Sequence, residues 1–252
     1  MHKTVNLHWY KKDYNFGDML NPYLIPKLFN IKVNWITPGS NTPHIFSIGS
    51  ILQKANNSTA VWGSGFISNN SRISNPSKIF AVRGPLTYAR LINAGIPTPK
   101  IFGDPALLLP NVYSPQFNKK WKIGIIPHYV DKKSNVINMC SKIKGVKIID
   151  VQEKSIESII NDILACEIIL SSSLHGLIVA DAYDIPNIWI KISNKLIGGN
   201  FKFNDYFKSV SRNIREPIIF TTKSNIFDIV KNYSLEKIIF NSQPLLKSNP
   251  FI

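Results

Sequence analysis

Short apolar runs rich in valine, isoleucine and phenylalanine alternate along this chain with stretches of helical period, and that alternation restricts the fold more than any other property. The runs read as strands are TVNLHWY, HIFSIGS, AVWGSGF, KIFAVRG, WKIGIIPH, VKIIDV, EIILSSS and NIWIKI. Between them lie helix signals: MLNPYLIPKLF, then LTYARLINAG, which follows Pro85 and stops at Gly95, then SIESIINDILAC with Ser155 as its cap. Proline at a first helical position and glycine just past the last one are the usual boundary marks. Alternation of this kind builds parallel sheets covered by helices. The Pro-, Asn- and Lys-rich stretch LLLPNVYSPQFNKKWK interrupts the pattern and reads as a boundary. The expectation is therefore an α/β protein with two Rossmann-like domains, residues 1–115 and 116–210. A tail, residues 211–252, carries a helix signal and packs back on them.

A chain of 252 residues can bury a full core. Its formal net charge is +15, but the basic residues are dispersed and form no block that would make a basic arm, so no nucleic-acid partner is expected. A generally basic surface still attracts anionic small molecules or an anionic membrane face. Through residue 115 there are eleven Lys and Arg against three acids, Asp13, Asp18 and Asp104, and the first glutamate is Glu153. Carboxylate chemistry in the first domain must come from those three. Cys140 and Cys166 lack metal-ligand spacing and read as buried thiols in a reducing compartment. No leader-like segment and no stretch of ~18 apolar residues occurs, so a cytoplasmic protein is expected, at most peripheral to a membrane.

Open α/β sheets bind ligands at the carboxyl ends of their strands, and polar residues collect at several of these ends. After the first run come Asn15, Gly17 and Asp18, the last equally suited to capping a helix. Gly49 and Ser50, then Gly63 and Ser64, end two further runs; glycine there admits either a close ligand or a tight turn. Arg83 lies between a strand and the helix opened by Pro85, so its guanidinium and the free N–H groups of that helix read together as an anion site. Asp104 repeats the strand–turn–helix pattern, as a cap or as a working carboxylate. In SSSLHGLIVADAY the polar groups stand at the mouth of a nearly all-apolar helix: Ser172 or Ser173 caps it and His175 occupies its first turn. A helix N-terminus favours the neutral imidazole, and a bound dianion reverses that, so His175 suits an acid that is charged only when substrate arrives. His128 ends another strand. With Asp131 it does not make up a metal site, and no metal is expected.

These pieces in order, NFGD, GSG, VRGPLT, GDPALLLP and SSLHGLIVADAYDIPNIWI followed by FKFNDYF, resemble the polysaccharide pyruvyl transferase family over roughly residues 5 to 210. The resemblance implies a two-domain fold like that of the glycosyltransferase-B enzymes, with phosphoenolpyruvate in the cleft between the domains. It places the donor on the C-terminal side and the acceptor sugar on the N-terminal side. It also implies transfer of a pyruvyl group, as a cyclic ketal, onto a sugar of a capsule, exopolysaccharide or other surface polysaccharide or its lipid-linked precursor. Phosphoenolpyruvate is then a co-substrate, and no resident cofactor is implied. Carried onto this sequence, His175, Asp18 and Asp104 are the catalytic candidates. Arg83, Ser172, Ser173, Asn15, Gly63, Ser64, His128, Lys191 and Lys202 are the substrate-binding ones. One departure stands out: many relatives have Arg-Leu-His where this chain has Ser173-Leu174-His175, so another cation, Arg83 or a lysine such as Lys191 or Lys202, must hold the anion. FKFNDYF reads as alternating, with Phe201 and Phe203 inward and Lys202 outward near a strand end.

Two other classes fit the sequence less well. A nucleotide-sugar glycosyltransferase would share the fold and the helix-end anion sites, with Glu153 as its one candidate for holding a ribose. A non-enzymatic basic module for nucleic acid or membrane would require clustered charge.

Overall fold

The computed structural model describes residues 3–252. In chain order the elements are β1 (Thr4–His8), α1 (Phe16–Phe29), β2 (Lys32–Trp35), β3 (His44–Phe46), β4 (Thr59–Trp62), β5 (Lys78–Ala81) and α2 (Pro85–Asn93). A 3-10 helix (Pro105–Asn111) leads to β6 (Trp121–Ile126), α3 (Asn135–Cys140), β7 (Val146–Ile148), α4 (Ile156–Leu164), β8 (Cys166–Ser171), α5 (Leu174–Ala182) and β9 (Asn187–Lys191). The chain closes with α6 (Phe201–Ser209), β10 (Ile218–Ile219), α7 (Ile226–Asn232) and α8 (Ser242–Lys247).

The strands form two parallel five-stranded sheets with the same internal order, β2-β1-β3-β4-β5 and β7-β6-β8-β9-β10. In each, the chain runs outward from the first strand and then doubles back across it. The crevice where strand order reverses therefore opens between β1 and β3 in one sheet and between β6 and β8 in the other. The expected runs all become strands. Two strands lay outside that reading: β2, whose KVNW is polar and partly exposed, and the two-residue β10, which carries the second sheet beyond residue 210.

A shared core holds the two sheets' helices together. Phe16, Leu20 and Leu24 of α1 and Ala106, Leu107 and Leu109 of the 3-10 helix pack with Ile156, Ile159 and Ile160 of α4 and with Leu177 and Ile178 of α5. Helix α5 is thus covered on every side, which is why its body has no polar face. The stretch FKFNDYF is the helix α6 rather than an alternating strand. Its Trp189-facing side stacks Phe203 on that indole with centroids 4.4 Å apart, while Phe201 packs with the first sheet's core. Lys202 consequently points inward and is buried, opposite to the sequence reading. The tail divides. Ile226 of α7 joins the second sheet's core, whereas Leu245 and Phe251 enter the first sheet's, and the Leu245 carbonyl accepts the Trp62 indole N–H at 3.0 Å. Cys140 and Cys166 are buried free thiols, burial pushing Cys166 up to about 12. Among the described residues no helix is long and apolar enough to cross a membrane.

Candidate functional site

A cavity of about 280 Å³ lies where the two reversal crevices converge. The segments after β1 and β3 supply Tyr10, Asn15, Asp18, Ser50 and Lys54; those after β6 and β8 supply His128, Tyr129, Ser173 and His175; Lys195 and Lys202 complete it. Of the residues singled out from the sequence, Asn15, Asp18, His128, Ser173, His175 and Lys202 meet here.

Local structure explains why Asp18 stands where it does. Pro22 has no N–H to give the Asp18 carbonyl four residues earlier, and the Asn21 side-chain amide donates to that carbonyl at 3.0 Å instead. The same amide group bonds both the carbonyl and the N–H of Ile48, locking the first turn of α1 to the end of β3. The Asn15 side chain donates to the Asp18 carboxylate at 3.0 Å rather than capping the helix. Burial raises the Asp18 pKa, against the pull of His175, Asn15, Lys202 and Lys54.

His175 is 9% exposed. Its ring rests on Gly17, where any Cβ would collide with the imidazole, so the glycine of NFGD makes room for the histidine of SSLHG. Behind the ring, Nε2 faces the Asp104 Oδ2 at 3.6 Å, and among the described residues neither atom has a hydrogen-bond partner. The other Asp104 oxygen caps the 3-10 helix through the Ala106 N–H at 3.0 Å. Asp104 is thus the cap the sequence allowed, and its second oxygen stands near His175 from behind the cavity rather than on its wall.

Ser173 is the N-cap of α5, but its hydroxyl makes no capping bond. Among the described residues the N–H groups of Leu174 and His175 have no protein acceptor, leaving the positive end of the helix open to the cavity. Lys202 faces it. Burial, then the nearby Arg83 charge, pulls Lys202 down to about 8, with Asp18 opposing. Burial, with Lys202 adding to it, holds His128 down at about 4, hence neutral near pH 7. Three lysines against one aspartate make the cavity cationic.

Five expected contacts lie elsewhere. Arg83 is fully buried and its donors are taken: Nε donates to the Asp205 carboxylate at 3.0 Å, Nη1 to the Ser50 hydroxyl at 2.6 Å and Nη2 to the Phe66 carbonyl at 2.7 Å. The helix N-terminus beside it is indeed an anion site, but the anion is Asp205, which also accepts from the Thr87 N–H at 2.8 Å and hydroxyl at 2.7 Å. Arg83 therefore reaches the cavity only through Ser50. The Ser172 hydroxyl accepts the His128 N–H at 2.9 Å, and Ser172 and Lys191 line a neighbouring pocket. The Ser64 hydroxyl donates to the Gly49 carbonyl at 2.8 Å, and Gly63 packs on Pro105. Glu153 is exposed, accepting the Ser155 N–H, away from the cavity. Tyr10, Lys54, Lys195 and Asp205 were not foreseen; Lys54 and Lys195 follow strand ends, so the carboxyl-end rule already contained them.

The arrangement can hold a compact anion among lysines and helix N–H groups, present an imidazole to it, and set a basic carboxylate opposite. Residues 15–194 match the family model for polysaccharide pyruvyl transferase. The uncharacterized protein L143 of Acanthamoeba polyphaga mimivirus is 32% identical over 212 residues, 81% of this chain and 74% of that protein. The succinoglycan biosynthesis protein ExoV of Rhizobium meliloti (strain 1021) is 28% identical over 217 residues, 81% of this chain and 64% of that protein. With the family model spanning most of its length, the chain belongs to the polysaccharide pyruvyl transferase family.

Proposed function

We propose that this protein moves a pyruvyl group from phosphoenolpyruvate onto two hydroxyls of one sugar, as a cyclic ketal, in a surface polysaccharide or its lipid-linked precursor. The two sheets pair in a glycosyltransferase-B-like manner around the cavity. The observation that carries the reading is the open N-terminus of α5, with His175 in its first turn, facing Lys202 across a cavity that Lys54 and Lys195 also line. Phosphoenolpyruvate presents a carboxylate and a phosphate close together, and lysines with oriented N–H groups stabilise both.

In this reading the bound dianion favours protonated His175, which gives its proton to the methylene carbon. The enol double bond becomes a methyl group beside an oxocarbenium-like carbon. One sugar hydroxyl attacks that carbon, the carbon–phosphate oxygen bond breaks, and the second hydroxyl closes the ketal. Two hydroxyl protons are released; one leaves with hydrogen phosphate and the other restores His175. Asp18, made more basic by burial, takes up one of these two protons from the acceptor hydroxyl and passes it on to the departing phosphate. Asp104 stabilises the imidazolium from behind and keeps a proton on Nε2. The basic surface suits work at the cytoplasmic face of a membrane on a lipid-linked acceptor.

The test is incubation with phosphoenolpyruvate and a panel of lipid-linked and synthetic β-galactosides, glucosides and N-acetylmannosaminides, read by mass and by phosphate release. One pyruvyl-ketal mass gain with equimolar phosphate is expected. Thermal protection by uridine or guanosine diphosphate but not by phosphoenolpyruvate would overturn the reading in favour of nucleotide-sugar chemistry.

A further inference from the structure

Beside the cationic cavity lies a second space of about 150 Å³ at the carboxyl end of β9, lined by Asp131, Ser172, Trp189, Lys191, Asn194 and Leu196 among others. The chain alternates between the two spaces. Tyr129 and Val130 face the large cavity and Asp131 the small one; Ser173 faces the large one and Ser172 the small; Leu196 stands in the wall of both. The two spaces therefore lie side by side, so ligands held in them would be neighbours.

The chemistry of the small space differs from its neighbour's. Asp131 is 4% exposed, and among the described residues its carboxylate has no hydrogen-bond or ion-pair partner, only its backbone being engaged. An ionised carboxylate accepts and cannot donate, and this one faces the pocket with no donor from the protein among the described residues. It calls for a ligand rich in O–H or N–H groups. Lys191 balances its charge, which disfavours both a second anion and a cation. Trp189, Ile190, Ile192 and Pro217 give part of the wall an apolar surface, and Ser172, Ser193, Asn194 and Asn200 add neutral polar groups. A neutral ring with hydroxyls on its edge and C–H groups on its face matches that combination.

We infer that this pocket, although built from the half that the family resemblance gives to the donor, is a saccharide subsite, holding the sugar next to the one that receives the pyruvyl group; the identity of that neighbouring reaction rests on the function proposed above. Asp131 accepts hydroxyl hydrogen bonds there and Lys191 donates to a ring or hydroxyl oxygen. The site makes the protein select an acceptor of two or more sugars over a single one, leaving the donor untouched.

Calorimetric titration of the full chain with methyl β-lactoside and methyl β-cellobioside, against methyl β-galactoside and methyl β-glucoside, tests this without requiring turnover. At least one disaccharide is expected to bind ~10-fold or more tightly than its monosaccharide, and Asp131→Asn, which keeps the shape, should erase that advantage. Lys191→Met should weaken the disaccharide by less. Phosphoenolpyruvate affinity, measured separately, should match wild type in both variants. Equal affinity for mono- and disaccharides in the wild type, or an advantage that survives Asp131→Asn, overturns the subsite. Disaccharide binding that depends on Asp131 in a protein that transfers no pyruvyl group would sink the proposed reaction and leave the subsite standing.

Discussion

Helices α2 and α5 begin alike, each at the carboxyl end of a strand and each with a residue the sequence marks as working, Arg83 before one and His175 in the other. Their N-termini meet opposite fates. That of α2 receives Asp205, a carboxylate from α6, together with the buried guanidinium of Arg83. That of α5 receives nothing from the described residues and faces the cavity. No acid occupies its first turn, whereas Asp18 occupies that of α1. A helix end signals where an anion is favourable; whether the anion is internal or a ligand depends on whether the fold can deliver a carboxylate. Here the internal one builds the molecule and the open one lines the cavity.

Each side of that contrast can be broken. His175→Ala should lower transfer by ~10²–10⁴-fold, the range for a lost general acid, while near-UV circular dichroism stays native; an active variant would take the histidine out of the acid role. Asp205→Ala strands a fully buried guanidinium and should destabilise by ~3–5 kcal/mol in denaturant unfolding; a neutral result would mean that the α2 site is not structural. Gly17→Ala drives a methyl into the imidazole and should cost ~10²-fold in kcat through misplacement, with smaller change in phosphoenolpyruvate affinity. The smallest effect is on pH. Because Lys202 is held at about 8, kcat/KM for phosphoenolpyruvate should fall above that pH as its charge is lost, and Lys202→Met should remove the limb. Stability runs the other way: the unfolded chain keeps that proton to ~10.4, so unfolding free energy should rise with pH across this window.

The sequence made much of this legible because strands and boundary residues follow local rules. The runs from TVNLHWY to NIWIKI, the Pro85 and Ser155 helix starts, and the gathering of Asn15, Asp18, His128, Ser173 and His175 all follow from period and from the carboxyl-end rule. What escaped depended on contacts distant in the chain. Arg83 looked like a ligand-binding residue because its partner Asp205 is 122 positions away. Phe201-Lys202-Phe203 satisfied a two-residue period by coincidence, since α6 is packed on two sides and buries residues around its circumference. β2 and β10 were invisible because edge strands need no apolar run. Asp104 resolves as a cap through one oxygen, with the other left facing His175.

Adjacent residues of α6 grip opposite parts of the molecule. Asp205 ties it to Arg83 and α2, and Tyr206 donates to Asp181 of α5 at 2.7 Å, where Arg212 also closes bidentately. Severing the gene near residue 115 to express two autonomous lobes would leave the upstream fragment with a naked guanidinium and the downstream one with an orphaned brace. Lys202, three residues before the first of those anchors, is thereby held against the cavity by contacts to both halves of the molecule.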